Sequence, residues 1–158
     1  MNEKANGKTT FITVRHGDYD DNNNLSPIGE EQMRKVARQI NEFNITDQPV
    51  TIICSTAPRA QQGGQIIAKE LGIPIERIIF NECLWEDSYH HSELDEVKKL
   101  VGNNLHENQI LLGISHLELV PVTASYVAEK FGHKSRFSES KYGAGYLINS
   151  EGSRPFPQ

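Results

Sequence analysis

Short apolar runs alternate along the chain with longer stretches in which apolar residues return every three or four positions. The runs are Phe11–Val14, Val50–Cys54, Ile75–Phe80, Ile110–Ile114 and a glycine-punctuated Tyr142–Ile148. Their length and β-branched content predict strands. Between them, Ser26-Pro27 supplies an N-cap and a first-turn proline for a helix marked by Met33, Val36, Ile40 and Phe43, ending near Asn44. Ser55 to Pro58 opens a second helix that runs to Leu71 and is stopped by Gly72 and Pro74; Ser92–Val101 and Leu119–Phe131 carry two more helical patterns. Most of the strands are unbroken apolar runs, the signature of a sheet buried on both faces. The prediction is an α/β protein, a three-layer α/β/α sandwich with a largely parallel central sheet. Gly63-Gly64 is the local exception, since each glycine inside a helix costs roughly 1 kcal/mol against alanine. It implies close packing against a neighbour or a helix that begins later. No repeat or linker interrupts the pattern, so one domain is expected over residues 11–150, with a flexible N-terminus (1–10) and a frayed C-terminal tail (151–158).

With 158 residues, the chain is long enough for one substantial core without a metal or disulfide framework. Its 16 Lys+Arg against 21 Asp+Glu leave a net charge of −5, which argues against non-specific binding to nucleic acid or anionic lipid. Any anion site is therefore local. Cys54 and Cys83 form no C-x-x-C pair, and no apolar stretch approaches the ~18–20 residues of a membrane span. A cytoplasmic protein with no membrane partner is the expectation.

Ligands of open α/β sheets bind beyond the carboxyl ends of the strands. Here the first strand ends in Arg15-His16-Gly17, the second leads into Ser55 and Arg59, and the fourth ends in Ser115-His116. In a parallel sheet these ends bring two arginines and two histidines to one rim, with no carboxylate beside each. Guanidiniums offer bidentate donors to phosphoryl oxygens, and a neutral imidazole can attack phosphorus, so the cluster suits a phosphoryl group.

These segments resemble the histidine phosphatase (phosphoglycerate mutase-like) superfamily. Arg15-His16-Gly17 is similar to its R-H-G signature, and Leu25-Ser26-Pro27-Ile28-Gly29 with Gln32 to its L-T/S-x-x-G-x-x-Q helix start. Ser55 to Gln62 resembles S-x-x-x-R-A-x-Q, and Ile114-Ser115-His116 the second histidine motif. Short length and the run Ile114–Val120 look most like the compact SixA-type phosphohistidine phosphatases, which lack cap insertions. The resemblance implies that His16 is the nucleophile and becomes transiently phosphorylated. It implies that Arg15, Arg59 and His116 bind the phosphoryl oxygens, and that no cofactor takes part. Gly63-Gly64 departs from the family's T-A. For the general acid, Asn81-Glu82 and Trp85-Glu86 both fit the family pattern loosely. Glu82 is chosen because it lies nearest the predicted strand end, with Glu86 deeper in the loop, next to Asp87, and Asp18 as the other candidates.

Weaker features add little. His90-His91 with Glu93 has no second ligand pair at regular spacing, so no metal site is expected. Cys54 to Arg59 is C-x4-R, one residue short of the cysteine-phosphatase loop. The expected function is a metal-independent phosphatase acting on phosphohistidine or another phosphorylated protein side chain, admitted by a pocket left open at the sheet rim. A small-metabolite phosphatase and a non-catalytic phospho-binding module are the alternatives; a mutase needs a water-excluding cap for which the chain has little room.

Overall fold

The computed structural model describes residues 8–158. Ten main elements follow in chain order: β1 (Thr10–Arg15), α1 (Pro27–Phe43), β2 (Val50–Cys54), α2 (Pro58–Leu71), β3 (Ile79–Phe80), α3 (Leu94–Asn104), β4 (Ile110–Ser115), α4 (Leu119–Lys130), β5 (Gly145–Asn149) and β6 (Gly152–Phe156). They form one six-stranded sheet in the order β3-β2-β4-β1-β5-β6. The first four strands are mutually parallel, and β5 and β6 add antiparallel at the β1 edge. The three-layer sandwich with a largely parallel sheet expected from the sequence is therefore present, the two added strands making the sheet a mixed one.

Side-chain alternation divides the strand residues between two cores. Ile12, Val14, Ile52, Cys54, Leu112 and Ile114 pack under α1 and α2, while Phe11, Ile53 and Leu111 pack under α3 and α4. Thr13 is the polar residue on that second face, and its hydroxyl is matched by a 2.8 Å hydrogen bond to Thr123 on α4. Gly63 and Gly64 mark a close approach: a Cβ at 63 would stand 2.6 Å from Met33 Sδ, and one at 64 would stand 3.1 Å from Cys54 Sγ. Close packing of α2 on α1 and β2, not a late helix start, explains the pair.

Three expected boundaries move. Ile75–Arg77 is a 3-10 turn, and only Ile79 and Phe80 reach β2 partners, so the third strand is two residues long. Tyr142–Ala144 is a turn rather than the start of a strand, because Gly143 has a φ of +69° and cannot continue an extended chain. The expected frayed tail is instead β6, which pairs with β5 and buries Phe156. Pro155 obscured it in the sequence; proline lacks an N–H donor but is tolerated on an edge strand such as this one. The flexible N-terminus expected over 1–10 falls for residues 1–7 outside the described residues, while Thr10 is the buried first residue of β1.

Candidate active site

Parallel pairing of β1 with β4 sets Arg15 opposite Ser115, so the next residue on each strand, His16 and His116, leaves the sheet at the same level. Their ring centroids are 5.0 Å apart. His16 N–H continues the ladder to the Ser115 carbonyl at 3.0 Å, and Ser55 N–H bonds the Ile114 carbonyl at 3.0 Å, which fixes all three strand ends together. Arg59, in the first turn of α2, reaches across with Nε 3.1 Å from His16 Nε2. The structure thus brings Arg15, His16, Arg59 and His116 to one place.

Hydrogen bonding determines what each imidazole presents. His16 Nδ1 lies 2.8 Å from the Gly17 carbonyl, which can only accept, so the ring proton sits on Nδ1. Nε2 then keeps its lone pair, and that lone pair accepts from Arg59 Nε–H. His116 Nε2 contacts Ser55 Oγ at 2.8 Å, a hydroxyl that also accepts the Ala57 N–H at 3.1 Å. Its Nδ1 faces a terminal Arg59 nitrogen at 3.4 Å.

Both rings are only 2% exposed. Burial lowers the His16 pKa from 6.5 to about 4; the Gly17 hydrogen bond opposes the shift, and Arg59 and Arg15 add to it. His116 moves further still, first by burial and then through His16 and Arg59. Both imidazoles are neutral at pH 7, as a nitrogen nucleophile must be. A stability consequence follows. The unfolded chain protonates these rings below about pH 6.5 while the folded chain resists down to about pH 4, so the unfolded state binds more protons in that window. Stability should therefore be constant through these groups above pH 7 and fall as pH drops from 6.5 to 4. His16 alone accounts for roughly 3 kcal/mol by the lower limit. Urea melts at pH 7, 5.5 and 4.5 should show the wild type losing stability faster than His16→Gln; equal slopes would mean that folding leaves the His16 pKa unshifted.

The arginines differ in how they are held. Arg59 is 5% exposed and, besides His16 and His116, donates to Asn23 Oδ1 at 3.1 Å and approaches Asp87 Oδ2 at 3.5 Å. Among the described residues Arg15 donates once, to the Ser140 carbonyl at 3.3 Å, and its Nε is buried without a partner. Aromatic rings surround the group. Tyr19 and Tyr142 stand 5.3 and 5.8 Å from the His16 ring, and Trp85 stacks on His90 at 3.8 Å and lies parallel to His116 at 6.5 Å.

The structure does not bring Glu82 into this group. It is exposed, hydrogen-bonds none of the four residues, and lines a neighbouring cavity of about 440 Å³ with Thr56, Trp85 and His90. Glu86 bonds the Ser92 amide and the His91 ring, and Asp18 accepts the Ser26 hydroxyl at 2.6 Å, as part of the α1 cap. The carboxylate that reaches Arg59 is Asp87, farther along the loop from the strand end than Glu82. The 3-10 turn at Glu82–Leu84 redirects the chain, so distance along the sequence from the strand end misjudges distance in space. Burial works against an ionised Asp87, but donors from the His90 ring, the Tyr89 and His90 amides and Trp85 Nε1 together hold it well below the usual carboxylate range. Asn23 was also missed. It has a φ of +65°, a conformation asparagine tolerates, and the Asp/Asn-rich run before α1 is the one signal that could have pointed to it.

The model of the histidine phosphatase superfamily (branch 1) matches residues 11–104, a span that includes His16 and Arg59 and ends before His116. No curated protein matches the chain by sequence. Among solved structures, the protein histidine phosphatase SixA complexed with tungstate superposes with a TM-score of 0.65 at 18% identity, covering 92% of this chain and 93% of that one. A mycobacterial glucosyl-3-phosphoglycerate phosphatase gives 0.59 at 13% identity, with 94% and 96% covered. Phosphoglycerate mutase from Plasmodium falciparum gives 0.60 at 14% identity, with 97% and 91% covered. At these identities the likeness is one of fold.

Proposed function

The chain belongs to the histidine phosphatase superfamily, and from that premise we propose that it is a phosphatase in which His16 Nε2 takes the phosphoryl group and then passes it to water. The observation that carries this reading is the tautomer. The Gly17 carbonyl commits the His16 proton to Nδ1, and the lone pair on Nε2 faces the Arg59 guanidinium. Attack forms the N–P bond as the bond to the leaving atom breaks, and the leaving group departs with that electron pair. Water then attacks phosphorus, the N–P bond breaks, and phosphate leaves with neutral His16 restored. Because Arg59 Nε already occupies the Nε2 lone pair, substrate binding exchanges that contact for a phosphoryl oxygen. Arg15, Arg59 and His116 hold the oxygens, and the arginines supply positive charge, so turnover is expected to persist in chelator.

Leaving-group chemistry favours a phosphorylated protein side chain, phosphohistidine in particular. Asp87 is held ionised and has no proton to give, and Glu82 makes no contact with the cluster. A phosphorylated imidazole brings its own proton on the second ring nitrogen and departs neutral. The fold likeness to a protein histidine phosphatase supports the same class. Among the described residues no helix is long and apolar enough to cross a membrane. The unpaired cysteines, one buried and one half-buried, fit a reducing, cytoplasmic setting.

A panel of phosphohistidine protein, phosphoserine and phosphotyrosine peptides, a glycolytic phosphate and nitrophenyl phosphate, run in chelator, tests the assignment. Phosphohistidine should give the highest kcat/KM. A small metabolite better by about tenfold would reassign the substrate, and saturable phosphate binding without turnover would make the protein a binding module. In the same panel Glu82→Gln should leave phosphohistidine and nitrophenyl phosphate rates within about twofold of wild type. A selective loss on alkyl phosphates of about 10²-fold or more, the usual worth of general acid catalysis, would restore Glu82 as the acid.

A further inference from the structure

Resting on the reading of this cluster as an oxyanion site, we propose that Tyr142 is a positioning residue whose ring face holds the Arg15 guanidinium in the plane that the phosphoryl oxygens need. The Arg15 guanidinium carbon lies 4.0 Å from the centre of the Tyr142 ring. Among the described residues no carboxylate pairs with Arg15. Its one hydrogen bond is long, and its Nε is buried and unpartnered. Such a side chain has several free torsions and needs something to fix its plane. A carboxylate would do so, but would neutralise the charge and occupy the N–H edge. A π face orients the cation and leaves the N–H groups at the edge available to an incoming oxyanion.

The backbone ties Tyr142 to the residue it holds. Gly143 N–H is shared between the Arg15 and His16 carbonyls at 3.1 and 3.0 Å, and Arg15 N–H donates to the Ala144 carbonyl at 2.9 Å. Gly143 takes a φ of +69°, and a Cβ there would stand 2.7 Å from Gln32 Cβ, so the turn is built for glycine and has no room to drift. Arg59 is the internal contrast. Its guanidinium lies 4.6 Å from the Tyr19 ring centre, but His16, Asn23 and Asp87 restrain it as well. Tyr19 is therefore dispensable for orientation in a way that Tyr142 is not.

The test measures tungstate and inorganic phosphate affinity by calorimetry, together with the His16 titration by NMR, on Y142L, Y142F and Y19L. Y142L should weaken oxyanion binding about tenfold, Y142F should stay within about twofold because the face remains, and Y19L should lose less than about threefold. Among the described residues, Arg15 and Arg59, with His116 and the rings of Tyr19 and Tyr142 beside them, are the titratable and charged groups facing His16. Loosening Arg15 removes part of the positive field, so the His16 pKa should rise in Y142L and not in Y142F. In an R15K background, which lacks the planar fork, Y142L should cost less than about twofold more. Should Y142L not fold, Y142M replaces it. Unchanged binding and titration in Y142L, or losses that add fully in R15K, would overturn the role of Tyr142 while leaving the oxyanion site standing. A wild-type protein that binds neither anion would overturn the site and the clamp together.

Discussion

Replacing His16 with alanine should abolish turnover, lowering kcat by about 10⁴-fold or more while the fold survives. Losses of that size are typical when an attacking group is removed and no neighbour can take its place. None can here. His116 Nε2 is engaged with Ser55 and its Nδ1 faces Arg59, so its ring is held by the groups that it would have to leave in order to attack. The Cys54 thiol is fully buried against α2, and burial raises its pKa far above neutrality, which keeps it protonated and inert. The fold should tolerate the change because the ring sits at the rim beyond β1, outside both apolar cores. The check is steady-state turnover beside a thermal melt. A His16→Ala protein that keeps more than about a hundredth of the activity, or a Cys54→Ser protein that loses it, would contradict the histidine mechanism.

Arg59→Met is expected to be nearly as severe, about 10³-fold in kcat/KM, or ~4 kcal/mol of transition-state stabilisation. One guanidinium contacts the nucleophile at 3.1 Å and His116 at 3.4 Å, and its anchors Asn23 and Asp87 set its plane from the far side. Methionine keeps most of the stem and removes every donor. Arg59→Lys restores the charge without the planar fork and should recover only a small part, because a point charge cannot offer parallel donors to the phosphoryl oxygens. Loss of the cation also lifts part of the pressure on His16, so its pKa should rise from about 4 towards 6.5 and the acid limb of kcat/KM should move up with it. A merely structural arginine would leave that limb in place. Full recovery by lysine would show that charge alone matters at this position.

Much of this site could be read from the sequence because parallel strands converge. Once Phe11–Val14 and Ile110–Ile114 are recognised as buried neighbours, the residues that follow them must meet at one edge, and the in-register pairing of β1 with β4 turns that rule into a 5.0 Å approach of two rings. Arg59 follows from the same logic, as the first turn after β2. The carboxylate did not follow, because its position depends on a 3-10 turn and on four hydrogen bonds made inside one loop; none of these has a period that sequence patterning detects. Nor did Tyr142, whose role depends on a left-handed glycine placing it over Arg15 from a distant part of the chain. The edge strand β6 was hidden for a different reason: its residues are half-polar and include Pro155, and it gains order only by completing a sheet that already exists.

The central claim is a covalent phosphoryl group on His16, and trapping it is the most direct test. Wild-type protein should be mixed with a labelled phosphohistidine donor, quenched in alkali within milliseconds to preserve an N–P bond, digested, and mapped by mass spectrometry. The account predicts label on the peptide containing His16, stable in base and lost in acid, with none on the peptides containing His116 or Cys54. Label at either of those residues, or release of phosphate in a pre-steady-state burst with no labelled protein at any time, would contradict it.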